Sequence, residues 1–321
     1  MRLVSYLHSV PIMKLVSYSQ SVPVGNVNPQ KTQLLYDFVT GVNASGDEGI
    51  LHDGRNIIPA DVALIQGWVY TDTIPNHLKL RHDVIRTQKS RKNRTLVADA
   101  NLFLYHDKMN PQGYLRYSFD GIFPTTGNYF DSLIDKSRWQ SISKNTGITL
   151  QPIVKNGQNI VLMCQRQGGW SMKGYDLITW IQDTVSELRK HTDRRIIIRP
   201  HPGDRRALTY TKKYKGNPLF NLPNVIVREP GQPPENDLDK AWAVVNHNSS
   251  SVVGPIIQGY HSFITDPDDS QCREVSNTDF SKIESPDLFD RESWLERISM
   301  SHWSFEELRT GAAWRHIRNF V

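Results

Sequence analysis

The sequence predicts an α/β protein of two successive domains, each built around a mainly parallel sheet. From Met13 onward, short apolar runs alternate with amphipathic segments, which is the pattern of repeated βα units. The chain has 321 residues, enough for two domains of ordinary size. A polar, turn-rich stretch at 145–158 interrupts the alternation, and a fresh βα series follows it. We therefore place a first domain at 13–150 and a second at 151–321.

The chain begins by repeating itself, with "MRLVSYLHSVP" at 1–11 and "MKLVSYSQSVP" at 13–23. Two copies are too few for a solenoid, and neither has the apolar core and cleavage site of a secretory signal. Each copy reads as one short strand that ends in a polar turn, and a first strand is needed only once. The second copy leads directly into a predicted helix. We therefore expect residues 1–12 to be a leader that arose by duplication or was added in cloning.

The predicted elements follow the apolar runs in order. In the first domain, strands are predicted at 14–18, 61–69 and 95–104, and helices at 30–42, 75–89 and 129–143. In the second domain, strands are predicted at 159–164, 194–199, 224–229, 241–246 and 261–266. Helices are predicted there at 175–191, after Gly203, near 234–241 and at 250–258. The last forty residues have a helical pattern.

Composition excludes several classes of protein. No run of about 18 apolar residues is present, so no membrane span is predicted. Cys164 and Cys272 lie far apart and form no zinc motif, which favours a reduced, cytoplasmic compartment. The sequence also lacks the glycine patterns GxGxxG and GxxxxGK[ST], which argues against a nicotinamide enzyme and against a P-loop nucleotidase.

The positive charge of the chain is concentrated in one segment. The net charge is +5, and "KLRHDVIRTQKSRKNR" at 79–94 holds seven basic residues and one aspartate. One interpretation is a solvated helix end, and the other is a contact surface for a polyanion such as DNA. Arg116, which lies among tyrosines and phenylalanines, belongs to the second interpretation. The predicted DNA-binding residues are Arg86, Lys89, Arg91, Lys92, Arg94 and Arg116.

Polar clusters follow three strands of the second domain, where parallel sheets bind their ligands. They are "QRQGGWSMKG" at 165–174, "RPHPGDRR" at 199–206 and "NHNSSSVVGPIIQG" at 246–259. Glycines allow close backbone approach, an arginine and a histidine suit a phosphate, and a serine-rich helix start suits an anion. Ordinary loops, a rigid turn and plain helix capping are the alternative interpretations. The candidate ligand-binding residues are Gln165, Arg166, Gly169, Ser171, Arg199, His201, Asn248, Ser249, Ser250, Ser251 and Asp266.

Over 159–267, this combination of motifs resembles the nucleotide-sugar glycosyltransferases of the GT-B type, closest to the capsular polysaccharide and Kdo transferase branch. The resemblance implies two Rossmann-like domains that face a cleft. It also implies a nucleotide-sugar donor, expected to be UDP-linked, whose phosphates contact Arg199, His201 and Ser249–Ser251. The stretch at 99–130 is similar to glycosyltransferases of tailed bacteriophages, some of which modify hydroxymethylated bases in their own DNA.

Glycosyl transfer usually needs a carboxylate base, which a GT-B enzyme supplies from its first domain. The candidates are Asp99, after the 95–98 run, and Asp47, in the loop "SGDEG". Either could simply cap a turn. The "DPDD" at 266–269 contains a DxD pattern that can hold a divalent metal, but its position late in the chain favours a turn, with a donor contact from Asp266. We expect no required metal and no cofactor besides the donor.

The leading hypothesis from the sequence is transfer of a sugar from a nucleotide-sugar donor to a hydroxymethylpyrimidine, such as 5-hydroxymethylcytosine, in phage DNA. The second hypothesis keeps the same chemistry but has a cell-envelope or capsular saccharide as acceptor. A third is a non-catalytic protein that binds nucleotides or nucleic acid.

Overall fold

In the computed structural model, residues 11–22, 29–69, 78–103, 114–233 and 235–321 are described. The predicted leader at 1–12 therefore lies outside the described residues except for its last two. Residues 75–77, 104 and 234, at the ends of three predicted elements, also lie outside them. Among the described residues, no helix has the length and apolar character that crossing a membrane requires.

The first sheet has six strands in the order β11-β5-β4-β3-β1-β2. The strands are β1 (Lys14–Tyr18), β2 (Glu48–His52), β3 (Val62–Gln66), β4 (Arg94–Asp99), β5 (Leu115–Phe119) and β11 (His302–Trp303). β1 to β4 are parallel, whereas β5 pairs antiparallel with β4 and β11 antiparallel with β5. The helices of this half are α1 (Pro29–Ala44), α2 (Lys79–Ser90) and α3 (Lys136–Thr146).

The second sheet has five parallel strands in the order β10-β9-β6-β7-β8. They are β6 (Asn159–Met163), β7 (Arg195–Arg199), β8 (Val225–Val227), β9 (Ala241–Asn246) and β10 (His261–Ile264). The helices are α4 (Leu177–Arg189), α5 (Ala207–Thr211), α6 (Glu235–Leu238), α7 (Val253–Ile257) and α8 (Arg291–Ser299). The central strands β6, β7 and β9 are mainly apolar and buried because helices cover both faces of a parallel sheet. The predicted α/β class with two Rossmann-like domains is confirmed.

One predicted helix begins later than expected. The sequence placed it at 129–143, but α3 starts at Lys136, because the Asp135 side chain caps it by accepting a hydrogen bond from the Ser137 N–H at 2.9 Å. The aromatic residues before it, Tyr129 and Phe130, are buried in a loop instead.

The end of the chain returns to the first sheet. β11 extends that sheet, and α9 (Phe305–Arg309) and α10 (Ala312–Ile317) pack against α1. Trp314 of α10 is fully buried in the core cluster that contains the residues of β1 and α1. Residues 302–321 therefore belong with the first sheet, although the sequence assigned them to the second domain.

The carboxyl edges of the two sheets face each other. Leu102 and Phe103, which follow β4, share one core cluster with Val252 and Val253, which follow β9. The Tyr129 hydroxyl donates to Oε1 of Gln271, in the loop after β10, at 2.5 Å. A cleft between two carboxyl edges is where proteins of this architecture bind ligands.

Candidate functional site

The loop after β7 presents His201 with a defined tautomer. Its Nδ1 atom accepts a hydrogen bond from the Gly203 N–H at 2.9 Å. Burial, together with the charge of Arg166, lowers the pKa of His201 to about 4, so the ring is neutral at pH 7. A neutral imidazole whose Nδ1 accepts must carry its proton on Nε2. His201 therefore offers one N–H donor to a ligand.

The guanidinium group of Arg166 lies close to this imidazole, and that of Arg206 lies against the neighbouring loop at Gly168. A Cβ on Gly203 would lie 3.3 Å from the His201 ring and 3.4 Å from Nε of Arg166, and one on Gly168 would lie 3.4 Å from Nη1 of Arg206. Both arginines are exposed, and no described residue accepts a hydrogen bond from either side chain. The glycines thus leave room for two unpaired guanidinium groups and an N–H donor, a combination that suits a phosphate.

Arg199, in contrast, is not available to a ligand as the sequence predicted. Its side chain is buried, with Nη1 bonded to Oδ2 of Asp237 at 3.0 Å and to the Pro233 carbonyl at 3.3 Å. Nη2 donates to the carbonyl of Gln232. Arg199 therefore anchors the 232–237 segment to the end of β7. A carboxylate of the protein occupies its guanidinium, which does not favour the predicted phosphate contact; that contact stays a prediction.

Gln165 and Asn248 join the loops that follow β6 and β9. Both are buried, and the Gln165 amide donates to Oδ1 of Asn248. The Asn248 amide in turn donates to the Ser171 carbonyl and to Oδ2 of Asp266, both at 3.0 Å. These side chains were predicted as donors to the ligand. In the structure their amides hold three loops together, which makes Gln165 and Asn248 positioning residues. Gly169 stabilises the first loop by donating its N–H to the Arg166 carbonyl.

A second charged cluster surrounds Asp266. Lys173 Nζ lies 3.3 Å from Oδ2 of Asp266 and 2.9 Å from Oδ2 of Asp269. His247 Nε2 lies 3.7 Å from the same oxygen of Asp266, and its Nδ1 lies 2.7 Å from Oγ1 of Thr265. Burial lowers the pKa of His247, and the charge of the Asp266 carboxylate opposes that shift. Two of the three carboxylates of "DPDD", those of Asp266 and Asp269, are thus already compensated by a lysine.

The three serines after β9 behave differently from one another. The Ser249 hydroxyl accepts a hydrogen bond from the Ser251 N–H at 3.1 Å, so it caps the following short turn. Ser250 is exposed, and the Ser251 hydroxyl is buried with no partner among the described residues. α7 is only five residues long, which makes it a weak anion-binding helix. Ser249 is therefore a cap, and Ser250 and Ser251 remain candidates for binding the phosphates of the donor.

Asp99 lies in the cleft, at the carboxyl end of β4. Its Oδ2 accepts from Nη2 of Arg116 at 2.8 Å, and its Oδ1 accepts from the Ala100 N–H at 2.7 Å. Arg116 also donates to the Tyr129 hydroxyl at 3.4 Å. Arg116 is buried and paired, which does not favour its predicted contact with DNA; that contact stays a prediction. Asp99, which is about a quarter exposed, remains able to meet a ligand.

Asp47 lies at the opposite, amino edge of the first sheet. It is buried and accepts hydrogen bonds from the Met13 N–H at 2.9 Å and from Nε1 of Trp314 at 2.6 Å. Arg318 forms an ion pair with it at 3.1 Å. Its position and its partners make Asp47 a structural carboxylate that holds α10 and Arg318 in place, which does not favour its predicted catalytic role; that role stays a prediction.

The basic segment at 79–94 extends away from the cleft. α2 leaves the carboxyl end of β3 and is about 18 Å long. The Asn93 amide at its far end donates to the Ala60 carbonyl, just before β3, at 2.8 Å. Arg94 is paired with Asp120. The remaining predicted contacts, Arg86, Lys89, Arg91 and Lys92, are exposed. Lys89, Arg91 and Lys92 therefore lie near the amino edge.

Sequence reasoning missed three side chains at the carboxyl edge of the second sheet, namely Lys173, Arg206 and His247. Arg206 and His247 lie within the motifs at 199–206 and 246–259, and Lys173 lies in the motif at 165–174. Their position after strands of a parallel sheet was the available signal. The sequence showed the chemical type of each residue, but it did not show where each side chain points.

Comparisons with known proteins agree with this architecture. Among solved structures, the chain is similar to the β-Kdo 2,4 transferase of Thermosulfurimonas dismutans KpsC, with a TM-score of 0.51 and 12% identity over 91% of each chain. This likeness shows a shared fold, the two-domain GT-B arrangement. No protein-family model matches the sequence, and no curated protein matches it.

Two further solved structures are more distant. The β-Kdo 2,7 transferase of the same KpsC gives a TM-score of 0.48 at 12% identity, over 96% of this chain and 99% of that one. A Methanocaldococcus jannaschii UDP-GlcNAc 2-epimerase, in complex with UDP-GlcNAc and UDP, gives 0.30 at 11% identity, over 91% and 80%.

Proposed function

We propose that this protein is a glycosyltransferase that transfers a hexosyl or pentosyl group from a nucleotide-sugar donor. The observation that carries the proposal is the group formed by Arg166, His201 and Arg206 at the carboxyl edge of the second sheet. When the bond from the anomeric carbon to the donor oxygen breaks, negative charge grows on the leaving phosphate. Two guanidinium groups and a fixed N–H donor stabilise that charge.

Asp99 is our candidate for the base that takes the proton of the acceptor hydroxyl. It lies on the first sheet, across the cleft from the proposed phosphate site. Arg116 fixes one of its oxygens, and each carboxylate oxygen has a further lone pair for an acceptor hydroxyl. The link from Arg116 through Tyr129 to Gln271 ties this carboxylate to the second domain.

We propose that transfer needs no resident metal. The DxD pair that could hold one is Asp266 and Asp268. Lys173 already pairs with Asp266 at 3.3 Å, and Arg273 pairs with Asp268 at 3.2 Å. Activity that persists in excess EDTA would agree with this proposal, and activity restored only by added Mg²⁺ or Mn²⁺ would contradict it.

For the acceptor, we favour a saccharide. A DNA duplex that used the exposed cations at 89–92 would contact the amino edge of the first sheet, at least about 15 Å along α2 from the end of that helix nearest the cleft. Hydroxymethylated DNA is the second candidate, since those exposed cations suit phosphates. Reversing Lys89, Arg91 and Lys92 to Glu separates the two acceptors. It should abolish transfer to DNA but leave transfer to a saccharide unchanged.

The site assignment is tested by binding of UDP, CDP and CMP to Arg206→Ala and to a matched control, Arg195→Ala. Arg195 begins β7 at the opposite edge of the same sheet and is exposed. Loss of nucleotide affinity in Arg206→Ala alone supports the assignment. Equal affinity in both variants would contradict it.

A further inference from the structure

The first domain holds a second buried guanidinium group in the cleft. Arg81 of α2 is only 7% exposed, and its Nε donates to the carbonyl of Ser21, just after β1, at 2.8 Å. Gly67, just after β3, adopts a φ of 79°, and a Cβ there would lie 2.9 Å from Nη1 of Arg81. The guanidinium therefore lies across the carboxyl ends of β1 and β3.

The four remaining N–H groups of Arg81 have no acceptor among the described residues. Neither terminal nitrogen is fully enclosed, so both remain within reach of a ligand. Burial lowers the pKa of Arg81 to about 10, and the nearby Asp99 carboxylate opposes that shift. The group is still cationic at pH 7.

The charges around Arg81 do not balance. Arg81 and Arg116 are both more than nine-tenths buried, and the carboxylate that lies near both is that of Asp99. Asp99 is bonded directly to Arg116. Within the described part of the chain, this cluster therefore carries one positive charge in excess. An uncompensated buried charge is costly, and an anionic ligand would offset that cost.

We propose that Arg81 binds an anionic group of the acceptor sugar, a carboxylate or a phosphate, beside the base Asp99. The assignment to the acceptor rests on the proposed function and on the position of Arg81, which is on the first sheet while the proposed phosphate site of the donor is on the second. A planar guanidinium with two unpaired terminal nitrogens suits a carboxylate or phosphate oxygen pair. The acceptor is then an acidic saccharide.

The test measures equilibrium binding and needs no turnover. Methyl β-glucuronoside, glucose 6-phosphate and methyl β-glucoside are titrated into the full chain by NMR, and UDP is titrated separately by calorimetry. We expect one of the two anionic sugars to bind at least tenfold more tightly than the neutral glucoside. The better of the two identifies the anionic group as a carboxylate or a phosphate.

Variants assign that preference to Arg81. Arg81→Gln should remove it, whereas Arg86→Gln, an exposed control on the same helix, should keep it, and UDP affinity should not change in either. Arg81→Lys keeps the charge but loses the planar pair of donors, so it should retain only part of the preference. It also carries the test if Arg81→Gln does not fold.

Three results would overturn the inference. The first is equal binding of the three sugars to the unmodified chain. The second is an unchanged preference in both Arg81 variants, and the third is a parallel loss of UDP affinity, which would place Arg81 in the donor site. If the preference depends on Arg81 but no nucleotide binds, the inference holds as a binding site and the proposed function fails.

Discussion

Replacing Arg199 by alanine and replacing Arg206 by alanine should change different properties of the protein, although both arginines lie in the motif "RPHPGDRR". Arg199 is bonded to Asp237, whose side chain is 1% exposed, and to two backbone carbonyls. Arg206 is exposed and has no partner among the described residues. We therefore expect Arg199→Ala to change stability and Arg206→Ala to change nucleotide affinity.

The size of the first effect follows from the ion pair. Breaking a buried pair by removing one partner costs about 3–5 kcal/mol. Arg228 still holds Oδ1 of Asp237 at 2.7 Å, so we expect the lower limit, about 3 kcal/mol, in the free energy of unfolding. Urea denaturation followed by circular dichroism measures this change, and nucleotide affinity of the folded fraction should stay within twofold.

The second effect is a lost charge-assisted contact with phosphate, about 1.5–3 kcal/mol, which is roughly a 10- to 150-fold weaker affinity. Calorimetric titration of UDP, CDP and CMP measures it, and the urea midpoint of Arg206→Ala should match that of the unmodified chain. The reasoning is refuted if Arg199→Ala folds with full stability and loses nucleotide affinity, while Arg206→Ala binds normally.

Three further predictions concern other parts of the molecule. Asp47→Ala should destabilise the fold by about 3 kcal/mol because it leaves buried donors unpaired, and the activity per folded molecule should not change. Asp99→Asn should instead lower turnover at least about 100-fold, while nucleotide affinity stays the same. Burial lowers the pKa of His302 to about 3, so the unfolded chain binds more protons than the folded one between about pH 6.5 and 3. Stability should therefore fall as pH falls through that window, and it should fall less steeply in His302→Asn than in the half-buried control His82→Asn. Deleting residues 1–12 should leave the unfolding temperature unchanged, and a fall of several degrees would show that the leader stabilises the fold.

Much of the fold could be predicted because parallel strands buried on both faces leave continuous apolar runs. The central strands β6, β7 and β9 of the second sheet follow this rule, and the edge strands β8 and β10 are short apolar runs. β2 was missed because it lies at the edge and none of its residues is buried, and β5 because it interrupts its apolar residues with Arg116 and Ser118. β11 is two residues long and carries no pattern of its own.

The site was only partly predictable, because the partner of a polar side chain depends on distant residues. Asp237, whose carboxylate accepts a hydrogen bond from Arg199, is 38 positions further along the chain. Asp47 was a candidate base because β2 was not recognised. Once β2 is known to begin at Glu48, Asp47 must lie at the amino edge, away from the cleft. His201 was predicted correctly as a side chain presented at a strand end, but its tautomer depends on the Gly203 amide.

The central claim is nucleotide-sugar-dependent transfer at the cleft between the two carboxyl edges. The most direct measurement is incubation with a panel of UDP and CMP sugars and with acidic saccharides, neutral saccharides and hydroxymethylated DNA, followed by mass spectrometry of acceptor and nucleotide. We predict a saccharide that is heavier by one sugar, with release of an equal amount of nucleotide, and loss of both in Arg206→Ala but not in Arg195→Ala. If no nucleotide sugar is consumed, or if consumption is the same in both variants, the assigned site and its proposed chemistry are contradicted.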